Sequence, residues 1–351
     1  MQKIRAEIHL GNIRRNVEYF SALTKTPLCA VVKANAYGHG AEEVAAAISD
    51  LVDFFAVALV EEGLAIRTAA CGKPILVFTP PTDAEEAYLL AVNGFTASIP
   101  DLYTARLLVD CCQKHRLSIN AHLKVNTGMN RYGMNPSALG KVCKLLQNNP
   151  YVKVTGLYTH LCEYTLERAK EQRERFLAAQ RVCKRYFPSF ISHLGGTYAA
   201  MLGEEFVFDM TRIGIGLYGY LPTGEPCSAL KKGMTVKGKR ICNRSISYGS
   251  LGYGTALSSS ELEMVKSRGV TLYRVGYGDG FLRNRHNGLK ECERFPNELA
   301  MDTCFKIGKK RRGQLEEIIT DAEQTAKTAG TISYEVLCAA TRRAECVYDT
   351  E

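Results

Sequence analysis

The chain has no C-x-x-C pair among its 13 cysteines, and the odd count leaves one over, so neither a disulfide framework nor a zinc site is suggested. It has no run of about 18 apolar residues that would span a bilayer, and the opening MQKIRAEIHLGN is too charged for a signal peptide. Internal repeats and low-complexity tracts are missing as well. These absences point away from membrane, secreted and metal-binding classes and toward a protein of the reducing cytoplasm. The net charge of +9 raises the question of nucleic acid, but the basic residues are dispersed, with only KKGMTVKGKR and KIGKKRR as small clusters. Solvated faces explain those clusters without a nucleic-acid partner, and the positive field favours small acidic molecules.

What is present is ordinary globular material, 46% hydrophobic and 23% charged over 351 residues, enough for two domains or for a barrel with an appendage. The organising stretch is LCAVVKANAYGHG, Leu28 to Gly40. Leu28 to Val32 reads as a buried strand that delivers Lys33 at its end, followed by a permissive loop of small residues and glycines. An amine in apolar surroundings loses its proton readily and can hold a carbonyl cofactor as a Schiff base. On this stretch alone, a lysine snorkelling to solvent fits equally well.

Eight short apolar segments follow one another from Leu28 to Gly219: LCAVV, DFFAVALV, PILVF, FTASI, LSINAHLKV, VKVTGLYTH, SFISHL and DMTRIGI. Amphipathic stretches such as DAEEAYLLAVNG and LYTARLLVDCCQKH alternate with them. That alternation predicts an α/β fold, a (β/α)8 TIM-type barrel over residues 1–224, with a doubly wound sheet as the alternative. In such a barrel the chemistry collects at the C-terminal strand ends, where Lys33, Lys124, Arg131, His160, Thr197 and Arg212 all fall. Beyond Gly219 the texture changes. The stretches MTVKGKRICNRSISYG, GVTLYRVGYGDG, TISYEVL and AECVY predict a second, mainly β domain over 225–351, with a short strand and one helix inside residues 296–330.

With VVKANAYGHG, HLKVNTGMNRYGM, YTHL, DMTRIGIGLYGY, SISYGS, VGYGDGFLR, AMD and TISYEV in this order, the chain resembles the alanine racemase family, fold-type III pyridoxal-phosphate enzymes. The resemblance implies a cytoplasmic isomerase interconverting L- and D-alanine for D-alanine biosynthesis, with pyridoxal 5'-phosphate as cofactor and no metal. It implies Lys33 as cofactor anchor and one acid/base group, and Tyr248 as the other, delivered into the partner subunit's site of a homodimer. Racemisation needs a base on one face of the α-carbon and an acid on the other. Unperturbed, the two groups have similar pKa values of about 10 and about 10.4, and both must be lowered to work near neutrality.

The same resemblance assigns Arg212 to the cofactor's pyridine nitrogen, where a permanent donor leaves that nitrogen unprotonated. It places Arg131 on the substrate carboxylate and the cofactor's ring oxygen, Lys124 as a lysine many members carry as a carbamate, and His160 and Arg283 in the surrounding network. For the phosphate it gives Tyr37, Thr197, the backbone of Gly214 and Ile215, and Tyr334. Met301 meets the substrate carboxylate from the partner chain, and Tyr277 lines the access channel. Three positions depart from the family pattern: Gly196-Thr197 in place of Asn-Ser, Asn126 in place of aspartate, and a shortened, more polar segment over 281–300. A racemase of serine or another amino acid is therefore an alternative, as is a pyridoxal-phosphate-binding protein without catalysis. A decarboxylase is disfavoured by Arg212.

Overall fold

The computed structural model describes residues 4–246, 259–282, 299–309 and 313–350. They form two compact units, one of Ile13–Ala36 with Ala41–Lys231, the other of Met1–Asn12, Tyr37–Gly40 and Lys232–Glu351.

The first unit contains eight parallel strands, Leu28–Val31, Phe54–Val57, Ile75–Val77, Thr96–Ile99, Ile119–Lys124, Val152–Tyr158, Ile191–His193 and Thr211–Ile213. Each pairs with the next in sequence, and the eighth pairs with the first rather than the seventh, which curls the sheet into a nearly closed barrel. All eight coincide with the segments read from the sequence. The reason is burial on both faces: Leu28–Val31, Ile75–Val77 and Thr96–Ile99 have no exposed residue, so they carry unbroken apolar or small side chains.

The crossover helices begin and end where local chemistry requires. Asp101 accepts a hydrogen bond from the Thr104 N–H at 2.7 Å and starts Leu102–His115, which buries Thr104, Ala105, Leu108, Cys111 and Cys112 along one face. Lys114 and His115 occupy its last turn, and Arg116 closes it in the left-handed region at φ 57°. Asp83 caps Ala84–Val92 in the same way, accepting from Glu85 and Glu86. Between the fifth and sixth strands the register shifts at Ala121/His122, so that His122 lies opposite Gly156. That bulge turns a side chain inward at the one place where the neighbouring strand has none.

Among the described residues, the second unit carries a six-stranded sheet. Its path runs Cys304–Ile307, Val270–Tyr273, Met234–Arg244, Arg5–His9, Glu345–Asp349, with Leu315–Ile319 also paired to Met234–Arg244. The N-terminal strand Arg5–His9 thus lies in this sheet, antiparallel to one neighbour and parallel to the other. Its burial alternates, with Ala6 and Ile8 inward.

Two expectations are corrected here. TISYEVL was expected as a strand, yet Ser333–Ala340 is a helix. Ser333, Val336, Leu337 and Ala340 are its buried residues, spaced for one helical face, and Ile332 precedes it in extended conformation. Among the described residues of 296–330 there are two strands, Cys304–Ile307 and Leu315–Ile319, where one was expected, together with the expected helix, Ala322–Ala329.

Candidate active site

Lys33 follows the first barrel strand, and the backbone beyond it takes an uncommon path. Ala34, Asn35 and Ala36 have φ near 53° and ψ near 48°, and Tyr37 has φ 53°, a left-handed turn built without glycine. Such a conformation is disfavoured by about 1–2 kcal/mol per L-residue, so neighbours must hold it. Glu62 does so: its Oε1 accepts from the Ala34 N–H at 2.6 Å, while Oε2 accepts from Ala58 and Leu59 at 2.7 and 3.1 Å. Asn35 Oδ1 accepts from the Ala41 N–H at 2.8 Å, and the Ala36 N–H donates back to Val32. Of the three residues after Lys33, Asn35 is of a type that tolerates this geometry, while Ala34 and Ala36 carry its cost.

Lys124 ends the fifth strand and is 4% exposed. Burial first, then the charges of Arg212 and Arg131, hold its amine well below the usual lysine range. Its Nζ stands 4.6 Å from the centre of the Tyr158 ring. The loop after it folds back on itself, the Met134 N–H donating to Lys124 O and the Asn126 N–H to Met134 O. Asn126 fastens the loop from within, Oδ1 accepting from Gly128 and Asn130 while Nδ2 donates to Asn130 Oδ1. An aspartate could not make that last bond, which gives this departure from the family pattern a physical basis. The loop carries Arg131, whose guanidinium lies 5.3 Å from the Tyr132 ring centre.

Arg212, on the eighth strand, is 2% exposed and fully engaged with the barrel wall. Nη2 donates to Thr159 O at 2.7 Å, and Nη1 reaches both His193 O at 3.1 Å and His193 Nδ1 at 2.5 Å. His193 Nε2 is 2.9 Å from His122 Nδ1, and Tyr158 stacks on His193 with ring planes 5° apart. Tyr158 is anchored in turn by Ser98 at 2.6 Å. His160 follows the sixth strand. Desolvation, then Arg212, Lys124, Arg131 and Lys33, depress its pKa well below the ordinary value.

The groups acting on this one imidazole come from three strand ends, the first, fifth and eighth, and all belong to basic residues. Lys33, Lys124, Arg131 and Arg212 thus all act on His160, with Arg212 Nη2 3.5 Å from His160 Nδ1. Next to them, Thr197 Oγ1 accepts from the Gly216 N–H at 3.1 Å, and Gly216 follows directly on Gly214 and Ile215. A side chain on Gly196 would come within 3.3 Å of His160, so glycine there leaves the histidine its place.

In the second unit, Tyr37 and Tyr334 face each other with ring centres 5.8 Å apart. Tyr277 and Met301 lie on adjoining turns, the Gly278 N–H donating to Met301 O at 2.8 Å. Tyr248 and Arg283 lie outside the described residues.

A family model described as the alanine racemase N-terminal domain matches residues 8–222. The chain belongs to the alanine racemase family. Alanine racemase of Symbiobacterium thermophilum is 32% identical over 378 residues, spanning 99% of this chain and 97% of that one. The Synechocystis enzyme is 31% identical over 365 residues, 96% of each. Among solved structures, alanine racemase from Clostridium difficile 630 matches with a TM-score of 0.86 at 26% identity, covering 99% of this chain and 96% of its own. That of Bartonella henselae, with covalently bound pyridoxal phosphate, has a TM-score of 0.85 at 24% identity.

Several residues of this racemase-family site escaped the sequence reading. His122 and His193 sit inside strands, His122 two residues before Lys124 and His193 directly before the loop that leads to Thr197. The period-2 alternation that turns Lys124 inward turns His122 inward with it, a signal that was available. Tyr158 bears the same relation to His160. Glu62 gives no comparable sign, since its partner turn is brought to it only by the fold.

Proposed function

We propose that this racemase interconverts L- and D-alanine with pyridoxal 5'-phosphate, using Lys33 on one face of the substrate and the partner subunit's Tyr248 on the other. The observation that carries the reading is the convergence of Lys33, Lys124, Arg131 and Arg212 on His160 at the strand ends of the barrel. Two guanidiniums and two lysine amines around a neutral imidazole favour a ligand with anionic groups, and pyridoxal phosphate with an amino-acid carboxylate has them. Arg212 suits an unprotonated ring nitrogen, because a guanidinium only donates and its own geometry is fixed by Thr159 and His193. The residues present thus fit the cofactor.

When bound, pyridoxal phosphate supplies the carbonyl carbon that joins the substrate amine and the ring that makes the Cα proton acidic. The protein supplies the rest. Lys33 holds the cofactor and takes or returns the Cα proton at Nζ. The partner subunit's Tyr248 returns or takes it at the phenolic oxygen, so one proton leaves as another arrives. Thr197, Tyr37, Tyr334, Gly214 and Ile215 hold the phosphate, and His160 joins Arg212 to the site. Arg131 and the partner subunit's Met301 hold the carboxylate, with Arg283 in the network of His160 and Tyr277 lining the approach. In this scheme residues 1–224 bind the cofactor and 225–351 complete the partner subunit's site, which makes a homodimer the working unit.

Lys124 enters as a neutral amine. That state is the one that attacks CO2, giving a carbamate and releasing a proton, and the resulting anion would sit between Arg131 and Arg212. Carbamylation at Lys124 is part of the proposal.

The test combines cofactor and activity. Added pyridoxal phosphate should give a visible absorbance band that borohydride fixes onto Lys33, identified by peptide mass spectrometry. Tyr248→Phe should keep the band and lose racemisation. A band attached to another lysine, or unchanged turnover in Tyr248→Phe, would sink the assignment. Turnover over a panel of L-amino acids separates alanine from serine and longer substrates.

A further inference from the structure

Arg343 has no role in the scheme above, yet three segments of the second unit meet at it. The turn Tyr277–Asp279 lies against the turn at 300–303: the Tyr277 N–H donates to Ala300 O at 3.0 Å and the Gly278 N–H to Met301 O at 2.8 Å. Asp279 is 5% exposed, and its Oδ2 accepts from the Gly276 N–H at 2.8 Å. Its Oδ1 faces Arg343 Nε at 3.2 Å. The same guanidinium donates from Nη1 and Nη2 to Asp302 Oδ1, both at 3.1 Å.

The glycines of this junction record how close the segments are. A Cβ on Gly276 would fall 2.3 Å from the carbonyl oxygens of Ala300 and Met301, and one on Gly278 would fall 2.7 Å from Arg343 Nη1. The guanidinium thus lies over the turn where any larger residue would displace it. The two side chains this framework presents outward are Tyr277, 38% exposed, and Met301, 54% exposed. The buried Asp279, tied through the exposed Arg343 to Asp302, thus carries exposed tips, as a mount does.

An ion pair as exposed as that of Arg343 and Asp302 adds little stability, so its effect lies in position. We infer that Arg343 is a positioning residue: by tying Asp279 to Asp302 it sets where Met301 and Tyr277 stand, and so which amino acids fit. The inference rests on the reading that Met301 meets the substrate carboxylate in the partner subunit's site. Among the described residues, Met301 is registered by its neighbour Asp302 and by the Tyr277 turn.

Arg343→Ala, Arg343→Lys and Asp302→Ala would be compared with the unaltered holoenzyme for kcat and KM on L-alanine and L-serine. Cofactor absorbance and melting would confirm folding. Arg343→Ala should raise KM for L-alanine about ten-fold with kcat changed less than about two-fold, and shift the kcat/KM ratio toward serine. Asp302→Ala should move both in the same direction, and Arg343→Lys should restore part of the loss. An unchanged KM and substrate ratio in all three overturns the inference. Mixed dimers of Lys33→Ala and Arg343→Ala chains test the underlying reading separately, since their one Lys33-bearing site would receive Met301 from the chain with Arg343 intact. Return of the normal KM supports delivery from the partner. A KM that stays high in mixed dimers overturns that delivery while leaving Arg343 as the residue that sets it.

Discussion

Arg212 donates from Nη1 to Nδ1 of His193 across 2.5 Å. Because a guanidinium cannot accept, His193 Nδ1 must be the bare lone pair and its proton must sit on Nε2. That proton points at His122 Nδ1, 2.9 Å away, which makes His122 an Nε2–H tautomer too. One permanent donor therefore fixes the state of two buried imidazoles, and they in turn fix the orientation of the arginine.

Nitrogen-15 correlation spectra should show both histidines as Nε2–H tautomers across neutral pH. His193→Ala leaves a buried N–H of Arg212 without its acceptor, and we expect a stability loss of about 1–3 kcal/mol by denaturant titration. An Nδ1–H signal at His193 would contradict the arrangement.

The pH dependence has a definite sign. Burial, then the charge of Arg212, pushes His122 down to about 3, and His193 and His160 are shifted the same way. The unfolded chain binds protons at these histidines below its ordinary value of about 6.5, whereas the folded chain refuses them. Stability should be fully present above that pH and fall as pH drops toward 3, by about 1.4 kcal/mol per pH unit for His122, with His193 and His160 acting in the same direction. Urea midpoints at intervals across this window check it. A flat profile would mean the imidazoles are solvated.

Gly156→Ala should disturb the same arrangement from the neighbouring strand. Its Cβ would fall 2.4 Å from His122 Cγ and Cδ2, and a ring packed on both sides cannot retreat. We expect a loss of about 1–3 kcal/mol in stability, together with altered His122 resonances.

The turn after Lys33 gives opposite outcomes for two substitutions at one site. Ala34 is exposed and left-handed, so Ala34→Gly should leave stability equal or raise it by up to about 1 kcal/mol, while Ala34→Val should lower it. Melting temperature ranks the three proteins. A tolerated valine would mean the turn relaxes to an ordinary loop.

The barrel was legible because its strands are buried on both faces and its helices carry caps and one-sided burial, all local signals. The strand-end residues Lys33, Lys124, Arg131, His160 and Arg212 stood out because each is a polar residue closing an apolar segment. His122 and His193 did not, being enclosed within such segments. Arg5–His9 was not read as a strand, since both its partners come from the far end of the chain. TISYEVL alternates well enough to pass for a strand, and only the three residues after it, Cys338 to Ala340, complete the helical face. The left-handed turn was read as a loop because small residues and asparagine permit many conformations, and Glu62, which selects one, is remote in sequence.

The place of Arg5–His9, between Met234–Arg244 and Glu345–Asp349, has a consequence for how the protein is made. During synthesis this strand is made ahead of its antiparallel neighbour, which follows only after the whole barrel segment. At roughly 5–20 residues per second the wait is roughly 10–45 s. Through that interval the barrel can already close while the strand, with Ala6 and Ile8 uncovered, has no sheet to join. Capture of Arg5–His9, and with it completion of the second sheet, therefore comes late, after the barrel segment has been made.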